Sequence, residues 1–249
     1  MKKLIPLLCV LMTASYAMAW GFSEDFNSYP GGSTSWGGSW VTPTNNLKLD
    51  AYTCDDSLGP RTGNSALRTA TAPLGASNGG AFTFSSDSYW SVEDSGYDAV
   101  FIVLSDGLAT AQQVPMTTAG LANAINAIAW GHVPGGGLTD YQFFDGKNWN
   151  VIGQSSATMV SKGEDVLSGS IDAVGNWSAE VKNFNTAAAQ GSGSGMLAVA
   201  GFAFSEVTII SQGNGSQVYS GVDNINLVPE PLSLALLGVG LLLLPRRRA

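Results

Sequence analysis

"DYQFFDGKNWNVIG", residues 140–153, decides the fold class. Asp140 to Phe144 and Trp149 to Gly153 are short runs rich in aromatic and β-branched residues, the side chains that suit a pleated surface. Asp145-Gly146 between them supplies backbone that tolerates positive φ, so the stretch reads as a β-hairpin. Working outward, the same rhythm recurs. Strand-like runs are expected at Gly21–Phe26, Asn46–Thr53, Ala81–Ser85, Asp98–Leu104, Val166–Val174, Trp177–Phe184, Leu197–Phe204, Glu206–Ser211 and Gln217–Leu227. Turn signals separate them: Gly31-Gly32, Gly79-Gly80, Asp106-Gly107 and Gly213-Asn214-Gly215. Ten or eleven short strands at this spacing predict an all-β sandwich or jelly roll. One segment departs from it. In "TTAGLANAINAIAW", Thr117 to Trp130, Leu121, Ile125 and Ile128 fall at helical spacing, which predicts one short helix covering an end of the sandwich.

The two ends predict export. Lys2 and Lys3 precede an apolar run from Leu4 to Ala14, and Ala17-Met18-Ala19 forms an A-x-A cleavage site. Residues 1–19 thus read as a signal peptide, with Trp20 the first mature residue. At the other end, Leu232 to Leu244 is uncharged and followed by Arg246, Arg247 and Arg248. Thirteen helical residues span only about 20 Å against a hydrocarbon core of about 30 Å. The arginines nonetheless fit the positive-inside rule, which gives a single transmembrane helix with a cytoplasmic C-terminus. A plain membrane anchor or a buried terminal helix are the alternatives to a removable signal.

Val228-Pro229-Glu230-Pro231, the apolar run and the arginine cluster together resemble the PEP-CTERM sorting signal of Gram-negative bacteria. The resemblance covers residues 228–249. It implies recognition by an exosortase, a membrane-embedded cysteine transpeptidase that cuts near Pro-Glu-Pro. The cargo then reaches the cell surface or the extracellular polysaccharide matrix of a biofilm. Read from the residues alone, the two prolines make the site an extended, accessible linker.

The exported domain is residues 20–227. Setting aside Lys2, Lys3 and the three terminal arginines leaves six basic residues. Setting aside Glu230 leaves eighteen acidic ones, a formal balance of about −12. Such a surface disfavours nucleic acid and attracts divalent cations. Cys9 lies in the signal peptide, so Cys54 has no partner for an internal disulfide, and Asp55 and Asp56 beside it raise rather than lower a thiol pKa. "FSEDFNSY" (residues 22–29) and "YSGVDNINLVPEP" (219–231) resemble the first and last strands of concanavalin-like and carbohydrate-binding jelly rolls. The resemblance implies that Glu24, Asp25 and Asp223 are candidate ligands of a structural Ca2+, against the plainer reading of solvated strand-end acids.

No catalytic constellation emerges. Gly75-Ala76-Ser77-Asn78-Gly79 matches G-x-S-x-G, but a strand rather than a helix follows it. His132, the sole histidine, reads as a surface loop residue. Gly193 to Ala198 matches G-x-G-x-x-A, but the preceding "NTAAAQGS" is not strand-like, so the dinucleotide reading fails. The adjacent acid pairs point to opposite faces of a strand and make no two-carboxylate site. The sequence therefore predicts a surface or matrix protein associated with exopolysaccharide, or a dedicated lectin-like module, with a polysaccharide hydrolase third. Tyr29, Trp36 and Trp40, set among glycines, are the candidate glycan-stacking rings, though at least one of the tryptophans is expected in the core.

Overall fold

The computed structural model describes residues 21–29, 38–41, 48–50, 59–61, 67–74, 80–90, 99–106, 127–132, 140–155, 163–198, 203–212 and 220–230. Fourteen strands run through them: β1 Phe22–Glu24, β2 Lys48–Asp50, β3 Gly59–Arg61, β4 Leu67–Pro73, β5 Phe82–Trp90, β6 Ala99–Ser105, β7 Ile128–His132, β8 Asp140–Phe144, β9 Trp149–Gln154, β10 Gly163–Ile171, β11 Asn176–Asn183, β12 Ala189–Met196, β13 Glu206–Gln212 and β14 Ser220–Pro229. They form two antiparallel sheets. An eight-stranded sheet has the order β12-β11-β10-β5-β14-β3-β2, with β1 also paired to β14. A six-stranded sheet has the order β4-β13-β6-β7-β8-β9. This is the all-β sandwich that the sequence predicts.

The sheets meet through an aromatic stack. Phe84 of the eight-stranded sheet lies 4.6 Å from Trp130 and 5.7 Å from Phe143 of the six-stranded one, and Phe143 stacks at 4.5 Å on Trp177 of β11. All four rings are buried. Such rings bury the largest apolar area per residue and gain further from offset packing. The β6 run "AVFIVLS" has no polar alternation because this strand is buried on both faces of its sheet. Val100, Ile102 and Leu104 enter the main core, while Phe101 packs edge-to-face on Trp149 at 5.6 Å on the opposite side.

One flank closes on glycine. A Cβ on Gly191 of β12 would lie 2.6 Å from both the Gly153 Cα and the Ile152 carbonyl oxygen of β9, so the backbones of the two sheets' edge strands approach directly. The opening hairpin is present between β8 and β9. Asp145 Oδ1 accepts the Lys147 and Asn148 amides at 2.9 and 2.8 Å, and Gly146 takes φ 98°.

Several expectations are corrected. The predicted helix ends in strand: Ile128, Ala129 and Trp130 belong to β7, and residues 117–126 lie outside the described residues. Alternation won over helical spacing because Ile128 and Trp130 both enter the core, where Trp130 donates its indole N–H to Ser86 Oγ at 3.1 Å. Leu197–Phe204 is not a strand where it is described; the strand there is β12, one turn earlier. His132 is a buried β7 residue, 2% exposed and 6.1 Å edge-to-face from Tyr141, not a surface loop histidine. The sandwich also runs past residue 227. Val228 and Pro229 pair with Thr83 and Phe82, and the Glu230 amide donates to the Ala81 carbonyl at 2.9 Å. The first half of Pro-Glu-Pro is therefore sheet rather than free linker. Proline is tolerated there because the β1 ladder has already ended at Phe22 opposite Leu227, leaving a ladder partner on one side only. Residues 1–20 and 231–249, with Ala17, Ala19, Trp20, Pro231 and the arginine cluster, lie outside the described residues. Among the described residues no helix is long and apolar enough to cross a membrane.

Candidate functional site

The residues singled out in the sequence form a structural corner. Glu24 of β1 accepts three hydrogen bonds: the Phe26 amide on Oε1, and the Tyr29 hydroxyl and the Trp40 indole N–H on Oε2, each at 2.9 Å. Trp40 is 6% exposed and packs on Phe22 and Phe26 at 6.0 and 5.7 Å. Its ring is part of the core, so Trp40 is not a stacking platform. Tyr29 is half-buried beside Phe26 at 6.4 Å. Burial first, and the adjacent Glu24 carboxylate second, push its phenol up to about 12. Trp36 lies outside the described residues.

Among the described residues this corner shows no calcium cage. Calcium takes six to eight oxygens, several of them from carboxylates. Glu24 spends its oxygens on N–H and O–H donors, Asp25 Oδ1 accepts the Asn27 amide at 3.2 Å, and Asp223 Oδ1 accepts the Asn224 amide at 2.7 Å. Among the described residues no three acidic, His or Cys side chains converge as a metal cage.

A different surface has the form of a site. On the outer face of the eight-stranded sheet lies an open depression of about 710 Å³. Its side chains fall in two rows that cross five strands at right angles. One row reads Ser192, Glu180, Ser168, Ser85 and Asn226, each the register partner of the next across β12, β11, β10, β5 and β14. The other reads Ser194, Ser178, Ser170, Thr83 and Val228. Strand side chains alternate between faces, so the intervening residues Phe84, Gly169, Ala179 and Gly193 point inward and leave bare backbone between the rows.

Those small inward residues are forced by the core. A Cβ on Gly169 would sit 2.4 Å from Phe84 Cζ, and one on Gly195 would sit 2.9 Å from the Trp177 indole nitrogen. The rings of the core therefore require glycine on one side of strands that carry serine on the other. Register along β14 depends on a bulge. Asn224 adopts φ 48° between Asp223 and Asn226, and this extra residue keeps Asn226 and Val228 outward while Ile225 and Leu227 enter the core.

The rows are hydrogen-bonded across strands. Ser170 and Ser178 hydroxyls lie 3.0 Å apart, Ser168 donates to Glu180 Oε1 at 3.4 Å, and Ser23 donates to Asn226 Oδ1 at 2.7 Å. Glu180 also forms an ion pair with Lys182. A serine hydroxyl has one donor and two acceptor positions, so these contacts leave hydrogen-bonding capacity for a ligand. Sequence reasoning missed this face. Its signal is the period-two alternation of hydroxyl and small residues in "SGS", "SAE" and "SGS" at 168–170, 178–180 and 192–194, the last overlapping the Gly193 to Ala198 match.

Known structures share this architecture. Lectin I from Ulex europaeus, in complex with the methyl glycoside of α-L-fucose, is 10% identical with a TM-score of 0.53, covering 83% of this chain and 97% of the lectin. The T. cruzi calreticulin globular domain is 12% identical with a TM-score of 0.54, over 87% and 90% of the two chains. The Ca2+-bound exoplasmic/lumenal domain of VIP36 is 8% identical with a TM-score of 0.51, over 85% and 90%. The fold is lectin-like. At these identities the likeness is one of fold alone. No protein-family model and no curated protein matches the sequence.

Proposed function

We propose that this chain is an exported cell-surface or matrix protein that holds extracellular polysaccharide on the outer face of its eight-stranded sheet. The observation that carries the reading is the pair of polar rows flanking a glycine-rich floor. Side chains there are short and fixed in register by a sheet, so a ligand's hydroxyls meet donors and acceptors whose ordering cost is already met. The lectin-like fold, with a fucoside-bound plant lectin among its likenesses, adds support of a general kind. The face is taken to bind rather than to cut. Glycoside hydrolysis needs two carboxyl groups flanking one bond, and among the described residues Glu180 is the one carboxylate lining the depression.

Delivery is part of the proposal. Residues 228–249 act as a sorting signal for an exosortase-like transpeptidase, with the apolar run holding the chain in the membrane until processing in a Gram-negative host. The mature protein is the sandwich. Structural calcium is a further part of the reading, supported by the Ca2+-bound VIP36 domain among the similar folds, and a chelator-dependent change in binding tests it.

Two measurements test the reading. Pull-down on exopolysaccharide from the native host, with and without chelator, is expected to recover the protein, and recovery is expected to fall when Ser178 is replaced by Arg. Absence of binding under every condition would sink the carbohydrate reading. Mass spectrometry of the protein recovered from its host is expected to show a C-terminus near Pro-Glu-Pro, and an intact chain through Arg248 would sink the sorting reading.

A further inference from the structure

The geometry points to a specific class of ligand for this face: an uncharged, unbranched polysaccharide in an extended conformation, lying across the strands between the two rows. The inference rests on the binding reading above and deepens it.

Three observations carry it. The first is direction. Register partners line up at right angles to the strands, so polar side chains repeat at the interstrand distance of about 4.8 Å along each row, while the rows stand about 7 Å apart. The repeat along a row is close to the advance of one pyranose ring in an extended, equatorially linked chain. A chain laid in this direction meets polar groups on both edges at each of four strands, and on one edge at the fifth, where Val228 ends the second row. A chain laid along the strands would meet only one or two.

The second is shape. Gly169, Ala179 and Gly193 present only backbone between the rows, so among the described residues no side chain stands between them to interrupt a continuous chain. No outward aromatic ring lines the depression among the described residues. Recognition there works through the hydroxyl edges of a chain rather than by stacking on one terminal sugar.

The third is charge. Glu180, second in its row, accepts from Ser168 and Lys182, and among the described residues lining the depression there is no cation. A carboxylate accepts from donors, and vicinal sugar hydroxyls are donors. Uronate or sulfate groups would instead face a carboxylate on a chain whose whole formal charge is −8.

Affinity electrophoresis of the purified full-length chain tests this, with gels containing hydroxyethylcellulose, glucomannan, alginate or polygalacturonate. Retardation is expected in the two neutral gels and not in the two uronate gels. The double variant Ser170→Val/Ser178→Val is expected to weaken neutral-glycan binding about tenfold or more, since it deletes two hydroxyls while keeping residues that suit strands. Glu180→Gln is expected to weaken it about tenfold by removing a charge-assisted acceptor. Thermal unfolding of each variant near that of the parent chain verifies folding, and Ser170→Thr/Ser178→Thr serves as a hydroxyl-retaining control.

Equal or stronger retardation in uronate gels that remains sensitive to the serine variants overturns the uncharged-ligand inference and leaves the binding reading standing. Neutral-glycan binding indifferent to both variants overturns the placement between the rows. Retardation in none of the gels, together with failure on native exopolysaccharide, removes the binding reading itself. Protein that self-associates through this face, seen as dimer in sedimentation and abolished by the serine variants, overturns the inference in favour of a second copy.

Discussion

Phe84 lies directly against Gly169, its register partner on β10, so closely that a Cβ on the glycine would stand 2.4 Å from the ring's Cζ and 2.3 Å from the Ser178 carbonyl oxygen. Because one of those atoms is backbone, the clash cannot be relieved by a rotamer change. Gly169→Ala is therefore expected to destabilise the fold by about 1–3 kcal/mol. Gly80→Ala, where nothing lies within 4 Å of the added methyl, is expected to be close to neutral. Paired urea titrations read both, and equal midpoints would refute the packing argument.

Trp40 belongs to the core and not to a sugar platform, which gives a separable expectation. Trp40→Ala is expected to cost about 3–5 kcal/mol, because a fully packed aromatic is removed. Trp40→Phe keeps a ring against Phe22 and Phe26 and loses the bond to Glu24 Oε2, for about 1–3 kcal/mol. In the folded Trp40→Phe protein, polysaccharide affinity is expected to equal that of the parent chain. A selective loss of affinity in titration calorimetry would restore the platform reading.

Tyr29 sets a pH expectation. Its folded pKa of about 12 stands above the ordinary value of 10.0, through burial and the Glu24 carboxylate. The neutral phenol is the favoured form, so this stabilisation is whole below pH 10 and drains away as pH rises through about 12. Titration of 13C-labelled tyrosine Cζ resonances is expected to show Tyr29 ionising late. Glu24→Gln is expected to bring that resonance back toward the ordinary value, and an unmoved midpoint would refute the pairing.

Asp165 is fully buried and accepts the Tyr141 hydroxyl at 3.3 Å and the Ser155 hydroxyl at 2.9 Å, with Ser88 also 3.2 Å from Tyr141. Removing the carboxylate strands those hydroxyls in the interior. Asp165→Ala is expected to cost more than Tyr141→Phe, by about 1–3 kcal/mol. The double variant is expected to be less destabilised than the sum of the two, as contacting partners are coupled. Additive losses in denaturant melts would remove the network.

The acidic turn from Asp172 to Asn176 offers a probe of the exposed surface. Asp172 accepts the Asn176 side-chain N–H at 2.7 Å and the Val174 and Asn176 amides at 2.9 Å each. These hold its carboxyl below the usual range, the Asn176 side chain most strongly. The stabilisation is present above the ordinary carboxylate pKa and is lost as pH falls through the lowered one. Asn176→Ala is expected to raise the Asp172 midpoint in an NMR titration of side-chain carboxyl shifts.

The hydrophobic rhythm around Asp145-Gly146 was enough to predict a sandwich, because alternation and turn chemistry are local properties. It failed where two local rules competed. Ile125 and Ile128 satisfy helical spacing, but Ile128 and Trp130 also satisfy strand alternation, and only the waiting core decided between them. It failed again at "QGSGSGM", because glycine and serine have low strand propensity and the residues that justify glycine, Ile152 and Trp177, are distant in sequence. The bonding of the Glu24 corner was not legible in the sequence. A carboxylate's function depends on which donors reach it, and Trp40 reaches Glu24 across sixteen residues.

The sequence by itself determined the all-β class, the single cysteine of residues 20–227 and the acidic balance, since composition and period-two patterning need no neighbour to be read. The tertiary structure alone decided the polar rows. Their members come from β5, β10, β11, β12 and β14, and their alignment exists only because interstrand register and the Asn224 bulge bring residues 83 to 228 onto one face. Register is a property of strand pairs and is set by what each strand must bury.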